Sequence, residues 1–81
     1  MIYMTAAQAY NVGGPGARGI LIQVNAALTG TLTVKDGSTT VGIINNPGVG
    51  NTFTYYGFTG LPTVTPSTTC DATVSTLNTR P

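Results

Sequence analysis

Three glycines near the N-terminus have the spacing of a dinucleotide-binding loop. Gly14, Gly16 and Gly19 spell G-x-G-x-x-G, a pattern in which backbone N–H groups at the start of a helix bind a pyrophosphate. That chemistry requires a helix directly after the glycines, whereas residues 20–26 alternate and are rich in β-branched side chains. Pro15 also lacks a backbone N–H. The pattern therefore indicates a flexible loop that leads into a strand, not a nucleotide site.

The remaining reactive side chains are few and do not group. Cys70 is the single cysteine, and the sequence contains no histidine that could activate it. Asp71 follows directly, and a neighbouring carboxylate raises the pKa of a thiol. Asp36 precedes Gly37, and this pair is typical of hairpin turns. Because catalysis and metal binding need several such groups together, we expect no enzymatic activity, no metal and no cofactor.

Charge and hydropathy argue against two classes of partner. The chain carries three cationic and two anionic side chains, for a net charge of +1. So few cations cannot form a basic patch, and we expect neither nucleic acid nor a membrane as a partner. No run approaches the roughly 18 apolar residues of a membrane helix, and the first residues lack the pattern of a signal peptide. We therefore expect synthesis in a reducing cytoplasm.

The clearest structural unit is a hairpin in GTLTVKDGSTTVGII, residues 30–44. A two-residue turn at Asp36 and Gly37 predicts that Leu32 pairs with Val41. Apolar side chains then share one face, and polar side chains share the other. The predicted apolar face consists of Leu32, Val34, Val41 and Ile43, and the polar face consists of Thr31, Thr33, Lys35 and Thr40.

Further strands are predicted on both sides of the hairpin. Residues 20–24 and 72–77 alternate with a period of two. Residues 59–69 contain two prolines, which predicts an edge strand or a loop. Residues 2–10 are compatible with a first strand or with an extended arm. The side chains that share a face in the two alternating segments are Ile20, Ile22 and Val24, and Ala72, Val74 and Thr76.

TFTYYGF, residues 52–58, is an aromatic strand. If Phe53 and Tyr55 point into the core, strict alternation places Tyr56 and Phe58 outside, where exposed aromatic side chains indicate a protein interface. The alternative is a β-bulge at residues 55–56, which would return both outer aromatic side chains to the core.

These elements predict an all-β fold, a small antiparallel β-sandwich or jelly-roll-like barrel of about six or seven short strands. We expect a single domain over residues 1–81, with residues 1–16 as a candidate extended N-terminal arm and loop. Domains of this size usually depend on disulfides, a metal or partner chains, and the residue counts argue against the first two. We therefore expect the chain to form oligomers or to dock onto a larger assembly.

Six side chains in outward strand positions, loops or terminal segments are candidate contacts for that assembly. Arg18 is the strongest polar candidate, because a guanidinium can pair bidentately with a partner carboxylate. The aromatic candidates combine a large apolar ring with, in tyrosine, a hydroxyl group. The candidate interface residues are Tyr3, Tyr10, Arg18, Tyr56, Phe58 and Arg80.

RGILIQVNAALTGTLTVKDGSTTVGIINNPG, residues 18–48, resembles the small β-sandwich decoration or cement proteins of tailed-bacteriophage capsids. The resemblance lies in a strand after a glycine-rich loop, a G-T-L-T-V-x-D-G hairpin and a Gly/Asn/Pro loop. It implies a virion protein on the capsid exterior that binds the major capsid protein and stabilises contacts between its subunits. It also implies a homo-oligomer, a dimer or preferably a trimer, made in the host cytoplasm.

Two other functions are compatible with the sequence. One is a structural virion protein associated with the tail, neck or fibre, for which a fibre repeat would be diagnostic. The other is a small carbohydrate-binding β module, which requires aromatic side chains grouped on a concave surface. Tyr55, Tyr56 and Phe58 form the one sequence cluster suited to that role.

Overall fold

The computed structural model describes residues 2–13 and 18–77. Every regular element in these residues is a β-strand, and all strand pairs are antiparallel. Threonine, valine, isoleucine and tyrosine recur in the strands, because β-branched and aromatic side chains fit a pleated surface. The strands are β1 (Ile2–Met4), β2 (Tyr10–Asn11), β3 (Gly19–Val24), β4 (Thr31–Asp36), β5 (Thr39–Asn45), β6 (Thr52–Tyr56), β7 (Pro62–Pro66) and β8 (Ala72–Leu77).

The strands form two four-stranded sheets, sheet 1 with the order β1-β8-β3-β6 and sheet 2 with the order β2-β7-β4-β5. The first strand pairs with the eighth, the second with the seventh, the third with the sixth and the fourth with the fifth. Such nested pairing, rolled into two facing sheets, is the jelly-roll arrangement. The predicted all-β sandwich is confirmed. It has eight strands because the N-terminal segment supplies two short ones, of three and two residues.

One apolar core lies between the two sheets. The predicted alternation of β3 is confirmed, since Ile20 and Ile22 are fully buried whereas Gln23 is exposed. Leu28 closes one end of the core from the loop between β3 and β4, where its N–H donates to the Pro47 carbonyl over 3.0 Å. The buried apolar side chains are Met4, Val12, Ile20, Ile22, Val24, Leu28, Leu32, Val34, Ile44, Val64, Ala72 and Val74.

The central hairpin is present, but its turn lies one residue later than predicted. Asp36 pairs with Thr39, so Gly37 and Ser38 form the two-residue turn. Gly37 has a φ of 62°. A glycine with positive φ at the first turn position, followed by a residue without it, is the type II′ arrangement. This turn matches the twist of the flanking strands.

A β-bulge in the hairpin overturns the predicted faces of β5. The register shifts between Val34 and Lys35, and Val41 is the extra residue. The later turn alone would keep the predicted faces, because it displaces the register by two residues, but one extra residue reverses them. Ile44 is therefore buried, whereas Val41 and Ile43 are 45% and 55% exposed. The prediction that Val41 and Ile43 share the core face is wrong.

β7 lies inside sheet 2, between β2 and β4, although two prolines argue against a central strand. Pro62 and Pro66 occupy its first and last positions. The Ser67 N–H donates to the Thr31 carbonyl over 2.9 Å, so alternation turns the nitrogens of both prolines away from β4. β2 covers only two residues on that other side. The prolines therefore interrupt no ladder to β4, and the prediction of an edge strand or loop is wrong.

The N-terminal segment contributes to both sheets. β1 pairs with β8 and β2 pairs with β7, so the first-strand alternative holds for residues 2–4. Met4 is fully buried. The hydroxyl of Tyr10 accepts hydrogen bonds from the N–H groups of Thr5 and Ala6 over 3.2 and 3.0 Å, which fastens the connection between the two strands. Residues 14–17, including most of the glycine motif, lie outside the described residues.

Candidate interaction surface

The four strands of sheet 1 carry no charged side chain. Because strand side chains alternate, half of them fill the core and half form the outer surface of the sheet. We call this outer surface the uncharged face. Its pairing is regular: Ser75, Leu21 and Thr54 lie side by side in the middle row. The uncharged face consists of Tyr3, Gly19, Leu21, Gln23, Thr52, Thr54, Tyr56, Thr73, Ser75 and Leu77.

The chemistry of the uncharged face is that of hydroxyl, amide, aliphatic and aromatic groups. Such groups donate and accept hydrogen bonds without carrying a charge that must be desolvated on contact. The face contains neither nucleophile–base pairs nor carboxylates. Its hydroxyl and amide groups are able to form hydrogen bonds with another surface.

Tyr3 lies at one corner of the uncharged face and is 56% exposed. A hydrogen bond with the Asp71 carboxylate, together with partial burial and the charge of Asp71, raises the pKa of the Tyr3 phenol. Asp71 also accepts a hydrogen bond from Asn25 over 3.3 Å. The predicted contact residue Tyr3 is thus exposed at the end of the sheet that lies near Asp71.

Tyr56 lies at the diagonally opposite corner and is 43% exposed. Its ring covers Gly19 on β3, where a Cβ atom would lie 2.8 Å from the ring. Arg18 directly precedes β3 and is exposed, and its carbonyl accepts the Gly57 N–H over 2.9 Å. Arg18 and Tyr56 therefore lie at the same end of sheet 1. Tyr3 is separated from them by about four residues along the strands, or roughly 13 Å.

Tyr10 and Phe58, two further candidates, are half-buried and pack against the core. The register of β6 against β3 is continuous from Thr52 to Tyr56, so the β-bulge alternative for residues 55–56 is wrong. Strict alternation beyond the strand also fails, because Gly57 has a φ of 86° and redirects the chain. The prediction that Phe58 points outward is therefore wrong, whereas Tyr56 does point outward.

Arg80, the last of the six candidate interface residues, lies outside the described residues. Cys70 is the single cysteine of the chain. Cys70 precedes β8, packs against the core, and places its sulfur 3.3 Å from the Met4 carbonyl. Burial, followed by the charge of Asp71, raises the pKa of the Cys70 thiol. The direction of this pKa shift agrees with the prediction, and a raised pKa disfavours the nucleophilic thiolate.

The sequence context of Asp36 indicates a hairpin turn, but its carboxylate has a second role. Its carboxylate accepts hydrogen bonds from the Thr59 N–H over 3.0 Å, from the Thr59 hydroxyl over 3.1 Å and from the Gly60 N–H over 2.6 Å. These bonds, first among them the one from the Thr59 N–H, lower the pKa of Asp36. Asp36 thus fastens the loop between β6 and β7 to the hairpin. No local pattern in the sequence indicates this contact, because its partners lie more than 20 residues away.

Within residues 2–13 and 18–77, no group of three histidine, cysteine or carboxylate side chains could hold a metal ion. That same part of the chain holds no helix with the length and apolar character needed to cross a bilayer.

Comparisons with protein families, with characterised proteins and with solved structures found no match to this chain. The geometry of the sheets and the resemblance of residues 18–48 are therefore the observations that bear on function.

Proposed function

We propose that this chain is a structural virion protein that decorates the outside of an icosahedral phage head. In this role it binds the major capsid protein through the uncharged face and stabilises the contacts between neighbouring capsid subunits. The observation that carries the proposal is the complete lack of charge on the four strands of sheet 1. An exposed sheet surface ordinarily carries charged side chains for solubility, and a surface that is repeatedly packed in a lattice gains from their absence.

The fold and the sequence resemblance support the same role. Jelly rolls recur in viral capsid proteins and in lectins, so the fold alone does not choose between these functions. A carbohydrate-binding role requires grouped aromatic side chains. Here Tyr55 packs inward, Phe58 packs against the core and Tyr56 alone of the three is exposed. The aromatic cluster that favours a lectin is thus dispersed, and the capsid role is better supported.

The size of the uncharged face sets an expectation for its affinity. Four strands about 4.8 Å apart and five residues about 3.4 Å apart give a flat area of roughly 330 Å². A stable interface covers about 800 Å² on each partner. One uncharged face therefore supplies only part of such an interface, and we expect tight binding to depend on several contacts made together.

Co-sedimentation with phage heads tests the proposal. Heads of the phage that encodes the chain are prepared without it, and the purified chain is added at increasing concentration. We expect saturable binding at a fixed number of copies per head, and a rise in the temperature at which the heads break. Tails from the same phage and an array of glycans serve as comparison ligands. Binding to tails or glycans with none to heads would refute the proposal.

A further inference from the structure

The jelly roll has four edge strands, and three of them carry a feature that discourages pairing with another chain. β1 and β2 are only three and two residues long. β5 is longer, but the bulge at Val41 interrupts its regular geometry. Short edges and bulges are the devices by which sheet proteins prevent edge-to-edge association. β6 is the exception.

β6 has five residues, continuous register against β3, and neither charge nor proline. No strand within residues 2–13 and 18–77 pairs with its other side. On the β3 side, the Val24 N–H donates to the Asn51 carbonyl and the Gly57 N–H donates to the Arg18 carbonyl, each over 2.9 Å. Odd-numbered residues therefore face β3, and the backbone groups of the even-numbered residues face outward. The outward groups belong to Thr52, Thr54 and Tyr56.

We propose that β6 pairs with β6 of a second copy of this chain, antiparallel and centred on Thr54. Only registers that pair even-numbered residues with even-numbered residues bring outward backbone groups together. Among these, the register that pairs Thr54 with Thr54 of the second copy, and Thr52 with Tyr56, uses all three outward residues. The same register places Phe53 of one copy opposite Tyr55 of the other. These two side chains are half-buried in the single chain, and each gains an aromatic partner in the dimer.

A second copy is the occupant that this edge fits best, because the strand is complementary to itself. The pairing is symmetric about a two-fold axis perpendicular to the sheet, so both copies make identical contacts. The axis also leaves both uncharged faces on the same side of one continuous eight-stranded sheet. The flat uncharged area then doubles to roughly 660 Å². The pairing itself does not depend on the proposed capsid role, although it would provide the several contacts that this role needs.

The contact is small, so we expect a weak dimer that depends on concentration. Sedimentation equilibrium on the purified full chain, from about 10 µM to about 1 mM, measures it without any phage head. We expect a monomer–dimer equilibrium in this range. A chain that stays monomeric at the highest concentration, or that forms trimers, would overturn the proposal. The outcome is separate from that of the head-binding experiment, because no head is present.

Charge substitutions at Thr54 test the register. Thr54 side chains meet at the two-fold axis, so Thr54→Lys and Thr54→Glu each place like charges opposite one another. We expect each variant alone to dimerise about tenfold more weakly, and an equal mixture of the two to restore association through a Lys–Glu pair. The matched controls are Thr65→Lys and Thr65→Glu on the central strand β7, which should associate as the native chain does. Unchanged association of the Thr54 variants, or a mixture as weak as each variant alone, would refute the register.

Amide hydrogen exchange provides a readout that requires no substitution. The amides of Phe53 and Tyr55 donate toward β3 in the monomer and should be protected at every concentration. The amides of Thr52, Thr54 and Tyr56 should become protected only as concentration rises. Protection of these three amides that is independent of concentration, or absent throughout, would contradict pairing through β6.

Discussion

The two sheets of this jelly roll are built from similar residues but present different outer surfaces. The strands of sheet 1 have continuous register and carry no charge. Sheet 2 carries Lys35 and Asp36, contains the bulge at Val41, and has prolines at both ends of β7. Both sheets bury their inner side chains in the same core, so the difference lies in what each offers to solvent and to partners.

This difference separates a sheet whose irregular features have structural explanations from a sheet with a regular outer surface. The irregular features of sheet 2 have structural explanations: the bulge exposes Val41 and buries Ile44, and Asp36 fastens the loop between β6 and β7. The strands of sheet 1 have neither a bulge nor a proline, and their outer surface is regular and neutral. We therefore choose this surface for the proposed contact with another protein.

The largest expected effect distinguishes the two outer surfaces directly. Ser75→Glu places a carboxylate at the centre of the uncharged face, whereas Thr65→Glu places one on the outer surface of sheet 2. An unpaired charge buried in an interface costs about 2 kcal/mol or more, so we expect Ser75→Glu to weaken head binding roughly thirtyfold. Thr65→Glu should change it by less than about threefold. Quantitative co-sedimentation measures both, and equal losses would show that the sheets do not differ in binding.

A smaller effect is expected where β6 of sheet 1 contacts β5 of sheet 2. The Tyr55 ring from β6 crosses to Gly42 on β5, where a Cβ atom would lie 2.7 Å from the ring. Gly42→Ala should therefore lower the free energy of unfolding by about 1 to 2 kcal/mol, measured by urea denaturation. Gly48→Ala, where a Cβ atom would meet its nearest neighbour at 3.4 Å, is the matched control and should cost less than about 0.5 kcal/mol.

A double-mutant cycle identifies the cause of that loss. In a Tyr55→Leu background, Gly42→Ala should cost less than about 0.5 kcal/mol, because the obstructing ring is gone. The same cost in both backgrounds would contradict the contact between the sheets.

The smallest expected effect concerns the acid stability that Asp36 contributes to sheet 2. Its pKa is lowered in the folded protein, so the ionised carboxylate stabilises the fold. This contribution is complete above the unfolded-state pKa of about 4 and is lost as pH falls through the lower folded-state pKa. Asp36→Asn should lower the Tm modestly at pH 7 and flatten the decline of Tm below about pH 4. If Tm declines with falling pH in the same way for the native chain and for Asp36→Asn, this role of Asp36 is contradicted.

Much of the fold could be predicted because its signals are local. The β class follows from composition, and the inward faces of β3 and β8 follow from alternation. Alternation predicts the outward position of Tyr56 because this residue lies within a regular strand. It fails for Phe58 because Gly57, which has a positive φ, follows the end of the strand. The threonines of the uncharged face follow the same alternation, but the sequence does not show that four uncharged strands lie in one sheet.

The strand class, the existence of the central hairpin and the near absence of charge can be read from the amino-acid sequence, since each depends on residue type or on neighbours a few positions apart. The jelly-roll order, the bulge that reverses the faces of β5 and the central position of β7 become visible only in the folded chain. The same holds for the attachment of the loop at Asp36 and for the position of β6 at an edge of sheet 1. These features depend on which distant strands pair and on what each side chain meets across the core, and a period-two pattern is the same for every strand order.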